Sequence, residues 1–567
     1  MKSLFRVFGL CLAAAALISA APAPTPSPEG LSSQVDQVFA ELARKDSPGC
    51  ALAVVRDGRI VYSKGYGMAS LEHSVPISPQ TVFDIGSTSK QVTAAAILLL
   101  AQEGKLSLDD DVRKHIPEIP DYGTPVTLRH LLHHTAGIRD YIALLRFAGI
   151  NFEDVATDAD ALAAIARQKS LDFRPGDEHS YSNSGYFLLS LVVKRASGKT
   201  LREFAEERIF KPLDMASTQI LDDHTRIIPR RAASYGPTPS GFQVVSSNWE
   251  QTGDGAVQTA VEDLAKWDQN FYDPKVGGPG LIEQLQVTGM LNDGEKITYA
   301  RGLQVDEHRG LRRVSHGGGW AGYRAEMIRF PDARFSVITL CNAAHANPTA
   351  MAMQVANLYL ADRLQPAREV ASPGSAPAGP AAAAVQVDGA RYAGLFWNPV
   401  TDTVRRIVAR DGKLFYERGP GNETELAPLG GDRFAMVGAP AKAEVLFPAA
   451  SPGAAREMQV IIEGNKPSVF RVVEQVTPTE AELAAYAGRY SSEELDVTYT
   501  LAVEDGKLTL RDRRGESLRL EPAFADAFRN PNLGLLRFSR DSGKKVNGFS
   551  ISVGRARNMR FTKAPSP

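Results

Sequence analysis

Cysteine, net charge and long apolar runs are all scarce in this chain of 567 residues. Three cysteines give no material for a disulfide framework or for a cysteine-ligated zinc or iron–sulfur site. Lys plus Arg number 64 against 65 for Asp plus Glu, a formal net charge of -1. No basic field is present, so nothing calls for nucleic acid or another phosphate partner. Hydrophobic residues at 43% and charged residues at 23% are ordinary for globular protein, which excludes a wholly disordered or fibrous chain. Beyond the N-terminus the strongest apolar stretch is Ala94 to Ala101, too short to cross a bilayer and suited to a buried helix.

Residues 1–21 place Lys2 and Arg6 before an apolar run from Val7 to Ile18, then the small residues Ser19, Ala20 and Ala21. That order predicts a secretory signal peptide cut near Ala20 or Ala21, hence a periplasmic or secreted protein. The run is shorter than the roughly 20 apolar residues of a spanning helix, so no membrane span is expected after its removal. Cys11 leaves with it, and the mature chain keeps Cys50 and Cys341.

Residues 22–365 read as one α/β domain. Leu31, Val35, Val38, Phe39 and Leu42 recur at helical spacing. Cys50–Val55 and Ile60–Tyr62 flank Asp57-Gly58 as a β-hairpin. A stretch of helices and loops from about 90 to 300 leads to β-rich runs at Leu303–Val305, Arg313–Ser315, Tyr323–Arg329 and Phe335–Cys341. A helical pattern from Thr349 to Leu364 closes the segment. An antiparallel sheet drawn from both ends of the segment, flanked by helices and carrying a helical insertion, is the expected fold. Residues 366–386, rich in Pro and Ala, form a linker.

The C-terminal third of the chain repeats itself, as 387–475 and 476–567. Tyr392-Ala-Gly394 returns as Tyr486-Ala-Gly488, Asp411-Gly-Lys-Leu414 as Asp505-Gly-Lys-Leu508, and Leu426, Pro428 and Phe434 as Leu520, Pro522 and Phe528. Every pair is separated by 94 positions (392 to 486, 411 to 505, 426 to 520). Asp-Gly between alternating runs marks small antiparallel β units, and closure into barrels removes their exposed edges. Neither copy holds a nucleophile–base pair.

Three short motifs carry chemistry. In Phe83-Asp-Ile-Gly-Ser87-Thr-Ser-Lys90, positions i and i+3 share a helix face, so the Lys90 amine can meet the Ser87 hydroxyl. A serine at a helix start also turns its backbone N–H toward developing negative charge. Ser542-Gly-Lys-Lys545 has the same spacing, but no helix follows it. In Tyr181-Ser-Asn183 the two side chains project alike from an extended loop, a phenol to relay protons and a carboxamide to hold an amide. A plain Ser/Asn-rich turn is the competing reading of that stretch. In His316-Gly317-Gly318-Gly319-Trp320 a strand residue precedes glycines that let substrate lie against bare backbone. His308-Arg-Gly310 and Lys275-Val-Gly277 match this spacing in a turn and a Pro/Gly loop and are set aside.

Ser-x-x-Lys, Tyr-x-Asn and His-x-Gly, in this order on helix, loop and strand, resemble the serine β-lactamase and penicillin-binding superfamily. The Tyr181-Ser-Asn183 form is closer to the class C β-lactamase and D-Ala-D-Ala carboxypeptidase branch. Further matching stretches are Thr127–Gly137, Ile209–Met215 and Gly253-Asp254-Gly255, and the resemblance runs from about 31 to 365. It implies Ser87 as the acylated nucleophile, Lys90 as its base and Tyr181 as the group that protonates the leaving group and activates water. It further implies Asn183, His316 and Gly318 as substrate-binding, and the N–H groups of Ser87 and Gly319 as the oxyanion hole. Class C β-lactamases carry Lys where His316 stands, so histidine is the peptidase-like pattern. His133 and His134 lie outside the motifs and read as structural. The whole chain also resembles bacterial D-aminopeptidases, which append two antiparallel, lipocalin-like barrels.

The resemblance therefore implies an exported serine hydrolase with no cofactor and no metal, acting on small peptides, amides or esters. A peptidase or amidase for D-amino-acid-containing substrates is the first expectation. An esterase or promiscuous β-lactamase, or a covalent ligand trap without turnover, are the alternatives. In that family the first and last strands of the sheet pair antiparallel, which implies that Cys50 and Cys341 lie at one end of it as a possible disulfide.

Overall fold

Six strands build the sheet that carries the site, buried on both faces at its centre: β1 (Cys50–Arg56), β2 (Arg59–Tyr66), β3 (Gln304–His308), β4 (Leu311–Trp320), β5 (Tyr323–Phe330) and β6 (Phe335–Cys341). A computed structural model describes residues 28–366 and 388–565, apart from 420, 440–442, 450–454 and 463–465. The signal segment and all but the first residue of the linker lie outside the described residues. The strand order is β3-β4-β5-β6-β1-β2, antiparallel throughout. Chain ends distant in sequence thus meet at β1 and β6, where Cys50 stands opposite Cys341 and is joined to it by a disulfide.

Period-two alternation sends neighbouring residues to opposite faces. Leu52, Val54 and Val337 pack with Val35 of α1 (Pro28–Val38), Phe39, and Val355 of the last helix of this domain (Pro348–Tyr359). Ala51, Ala53, Ile338 and Leu340 face the helical layer built on α2 (Lys90–Gln102). That helix is apolar nearly all round and buried over Lys90–Leu100, as its sequence requires. α3 (Tyr141–Phe147) and α4 (Asn183–Ser197) complete the walls of the site. No helix among the described residues is long and apolar enough to cross a membrane.

The repeat is visible in three dimensions. The first unit is a closed eight-stranded barrel from Gly394–Asn398 to Ser468–Val473. The second is a nine-stranded sheet whose two end strands, Ser517–Arg519 and Glu521–Phe524, are consecutive in sequence, so it curls almost shut. Asp411-Gly412 and Asp505-Gly506 are both left-handed, as two-residue hairpin turns demand. Tyr392 donates its hydroxyl hydrogen bond to Asp432, and Tyr486, 94 positions on, donates to Asp526.

The second unit is welded to the N-terminal α/β domain. Arg139, with a side chain 1% exposed, pairs with Asp172 and with Glu494 of the second unit. Tyr499 donates its hydroxyl to the Phe147 carbonyl. Between β7 (Val546–Val553) and β8 (Ala556–Lys563), the turn at Arg555 reaches a cleft lined by Ser87 and Tyr181.

Candidate active site

Ser87 sits in a tight turn, Gly86–Ser89, that runs straight into α2. Gly86 has φ +50 and donates its N–H to the buried Asp84 carboxylate at 2.7 Å. A Cβ on Gly86 would lie 2.5 Å from the Gly319 nitrogen, and one on Gly318 would lie 1.8 Å from the Ile85 carbonyl oxygen. Only glycine tolerates this approach, which locks the turn against β4 and sets the backbone of Gly86 and Ser87 beside that of Gly318 and Gly319.

One helical turn on, Lys90 is completely buried. Its Nζ donates to Ser87 Oγ at 3.2 Å, Asn183 Oδ1 at 3.0 Å and the Asp254 carbonyl at 2.7 Å. Three acceptors meet three N–H groups, the condition for keeping a lysine in a protein interior. The i,i+3 pairing read from the sequence is therefore a direct contact.

Asn183 is the first residue of α4, not part of an extended loop as its spacing suggests; Ser182 precedes it as the N-cap residue. The Asp140 carboxylate, which caps α3, accepts both the Asn183 backbone N–H (2.8 Å) and Nδ2 (2.9 Å). Asn183 Oδ1 is thereby aimed at Lys90, and much of its hydrogen-bonding capacity is spent inside the protein. Asp140 in turn donates its own N–H to the Arg555 carbonyl at 2.9 Å. A continuous chain thus links the second C-terminal unit to Lys90.

The Tyr181 hydroxyl lines the cleft and has no hydrogen-bond partner among the described residues. Its ring is held between His134 (centroids 4.1 Å apart), Lys90 Nζ (4.9 Å) and the Arg555 guanidinium (4.7 Å). His134 is therefore a direct support of the site; its Nδ1 accepts the Ser182 N–H, and its backbone is left-handed at φ +57. His133 turns the other way, toward the Tyr299 carbonyl.

His316 lies on β4 beside these groups. Its Nδ1 faces the Gly317 carbonyl at 2.6 Å, so Nδ1 carries the hydrogen and Nε2 accepts from the Tyr299 hydroxyl at 3.0 Å. Burial, with the nearby Lys90 charge, lowers its pKa to about 4, so it is a neutral hydrogen-bonding residue. Asp140, Tyr299 and Arg555 are the members of the site that nothing in the sequence marks, while Asp254 stands in the matching stretch Gly253–Gly255, which gives it no role. The site opens on a cleft of about 550 Å³ whose lining includes Ser87, Tyr181, Asn183, His316, Gly319 and Arg555.

Outside that lining, Asp223, His224 and Glu250 bring three potential ligand atoms within 4.8 Å of one another, and His224 Nδ1 already meets Glu250 at 2.8 Å. Ser542–Lys545 lies in a hairpin turn and His308–Gly310 in the β3–β4 turn, without catalytic neighbours among the described residues.

The family model described as Beta-lactamase matches residues 35–362. The D-aminopeptidase of Gluconobacter oxydans is 31% identical over 332 residues, covering 58% of this chain and 62% of that relative, under two thirds of its length. The D-aminopeptidase of Brucella canis is 26% identical over 536 residues, 91% of this chain and 96% of the relative. The octameric penicillin-binding protein homologue from Pyrococcus abyssi shares the fold with a TM-score of 0.54 and 24% identity, over 78% of this chain and 99% of that one.

Proposed function

Because the chain belongs to the beta-lactamase family, we propose that it is an exported hydrolase that forms an acyl-enzyme on Ser87 and cleaves amides or short peptides of D-amino acids. The contact between buried Lys90 and Ser87 Oγ carries this reading. In the proposed cycle Lys90 first gives up to solvent the proton it directs at Ser87, and keeps two N–H groups on Asn183 and the Asp254 carbonyl. With the freed lone pair it takes the Ser87 proton while Oγ attacks the substrate carbonyl. The N–H groups of Ser87 and Gly319 hold the resulting oxyanion. The C–N bond breaks as Tyr181 protonates the departing amine, and water then cleaves the Ser87 ester to release the acid.

Two observations favour an amide or peptide substrate over a β-lactam. Relatives that align over almost the whole chain bear the name D-aminopeptidase. The cleft wall at His316 is neutral and tied to Tyr299, not the lysine cation of class C β-lactamases. Ser87→Ala is expected to abolish both fluorophosphonate labelling and hydrolysis of D-alanine amide. Labelling of the variant at the wild-type rate would assign the nucleophile elsewhere.

A further inference from the structure

The pairing of β4 with β3 stops at Ser315, which stands opposite Gln304. Past that point the strand borders a further cavity, of about 290 Å³, which shares Tyr181, His316 and Gly317 with the Ser87 cleft. Glu326 of β5 lies in its wall, opposite Gly317 and 4% exposed. A Cβ on Gly317 would come within 2.9 Å of Glu326 Oε2, so the bare glycine is what leaves this carboxylate uncovered.

The proposed cycle gives Glu326 no task, and its surroundings leave it short of a counter-ion. Oε2 accepts from the Thr349 hydroxyl, and the Met327 N–H also favours the charged form. Arg313, the one arginine in the same wall, forks onto both oxygens of Asp306 at 2.7 and 2.6 Å. Burial lowers the pKa of His179 and His316, so neither supplies a cation. Burial also raises the Glu326 carboxyl to about 7, against the pull of Thr349 and Arg313. A carboxylate with so little compensation, set in the wall of an open cavity, suits a ligand that brings an ammonium group.

The direction of the leaving group connects this cavity to the chemistry. Tyr181 protonates the departing amine in the proposed cycle, so the leaving nitrogen lies beside it, and the chain beyond that nitrogen continues past His316 and Gly317. We infer that the cavity over Glu326 is the subsite for the residue on the leaving side of the scissile bond, and that the Glu326 carboxylate selects a residue with a cationic side chain there. This subsite has meaning only if the acyl-enzyme reading holds. It favours peptides with a basic second residue over simple amides, whose leaving ammonia does not reach Glu326.

The test compares kcat/KM of the full chain for D-alanyl-lysinamide and D-alanyl-norleucinamide, each made with an L and with a D second residue. At about pH 8.5 Glu326 and a lysine side chain are both charged. The wild type should prefer lysine over norleucine about tenfold or more in one of the two series, the scale of a hydrogen bond to a charged group. Glu326→Gln keeps an acceptor for Thr349, removes the charge and should erase most of that preference, chiefly through KM. Taking the ratio cancels any general effect of the variant on the cleft. Equal kcat/KM for lysine and norleucine in both wild-type series would overturn the inference, a result that needs no variant and so serves if Glu326→Gln does not fold. An unchanged ratio in the folded variant would overturn it too, as would failure to cleave any of the four peptides by an enzyme that hydrolyses D-alanine amide. Cleavage that survives Ser87→Ala would instead overturn the acyl-enzyme reading.

Discussion

In the first C-terminal unit Phe396, Ile407, Phe434 and Phe470 close on one another inside a barrel with its own core. In the second, Tyr490, Leu510, Phe528 and Phe549 belong to the same apolar cluster as Phe147, Phe187 and α2 of the catalytic domain. The two copies keep one repeat register, the left-handed Asp-Gly turns and the Tyr–Asp hydrogen bond. Duplication has preserved the hairpin chemistry that makes each copy fold, while the outer surfaces have taken different work. The first copy leans on the second through a small cluster around Leu395, Trp397 and Phe524. The second copy supplies Glu494 to buried Arg139, and Arg555 to the cleft.

The largest effect should come from deleting one unit at a time. Without residues 476–567, Arg139 loses Glu494, Asp140 loses the Arg555 carbonyl, and the apolar face around Phe147 is bared. That truncation is expected to yield no soluble protein that a fluorophosphonate labels. Deletion of residues 388–475 should leave labelling intact. Equal labelling of both truncations would erase the distinction between the copies.

A point variant gives the next effect. Glu494→Ala removes one carboxylate from a buried guanidinium and should cost about 3 kcal/mol, read as a shift in the urea unfolding midpoint. Glu423→Ala in the first copy cuts an ion pair with Arg410 that lies open to solvent and should leave the midpoint unmoved. Comparable shifts from the two would mean that the second unit is no more integral than the first.

The smallest effect sharpens the contact at the cleft. Arg555 stacks on the Tyr181 ring from an exposed turn, a cation–π contact on the order of 0.5–1 kcal/mol. Arg555→Ala keeps the backbone carbonyl that Asp140 needs, so a change of about two- to five-fold in kcat/KM is expected, with the melting temperature unchanged. A loss beyond a hundredfold would make the guanidinium a far larger contributor than its stacking explains.

How far the sequence carries toward this site depends on how local each contact is. Ser87 with Lys90 is a helix-face relation three residues long, and the glycines after His316 mark bare backbone in one strand, so both are directly legible. The hairpin at Asp57-Gly58 and the two-fold repeat are equally legible, because period and turn residues are local. Tyr-x-Asn reads as extended and so puts Asn183 in a loop. Ser182 ahead of an apolar helical pattern is the helix-start signal that corrects it. Asp140 meets Asn183 across 43 positions, Asp254 meets Lys90 across 164, and Arg555 comes from the far end of the chain. No periodicity encodes such meetings, and only the packed fold brings them about. His134 escapes the motifs for a similar reason, since its role is set by Tyr181 stacking on its ring.

The central claim is that Ser87, primed by Lys90, is the atom acylated during turnover. Acid quench of the full chain during hydrolysis of a D-alanine ester, with digestion and mass spectrometry, should find one added D-alanyl group on the peptide containing Ser87. The same experiment on Ser87→Ala should find none. A D-alanyl group on any other residue, or turnover without a trapped acyl group when ester bond breaking shows a burst, would contradict the account.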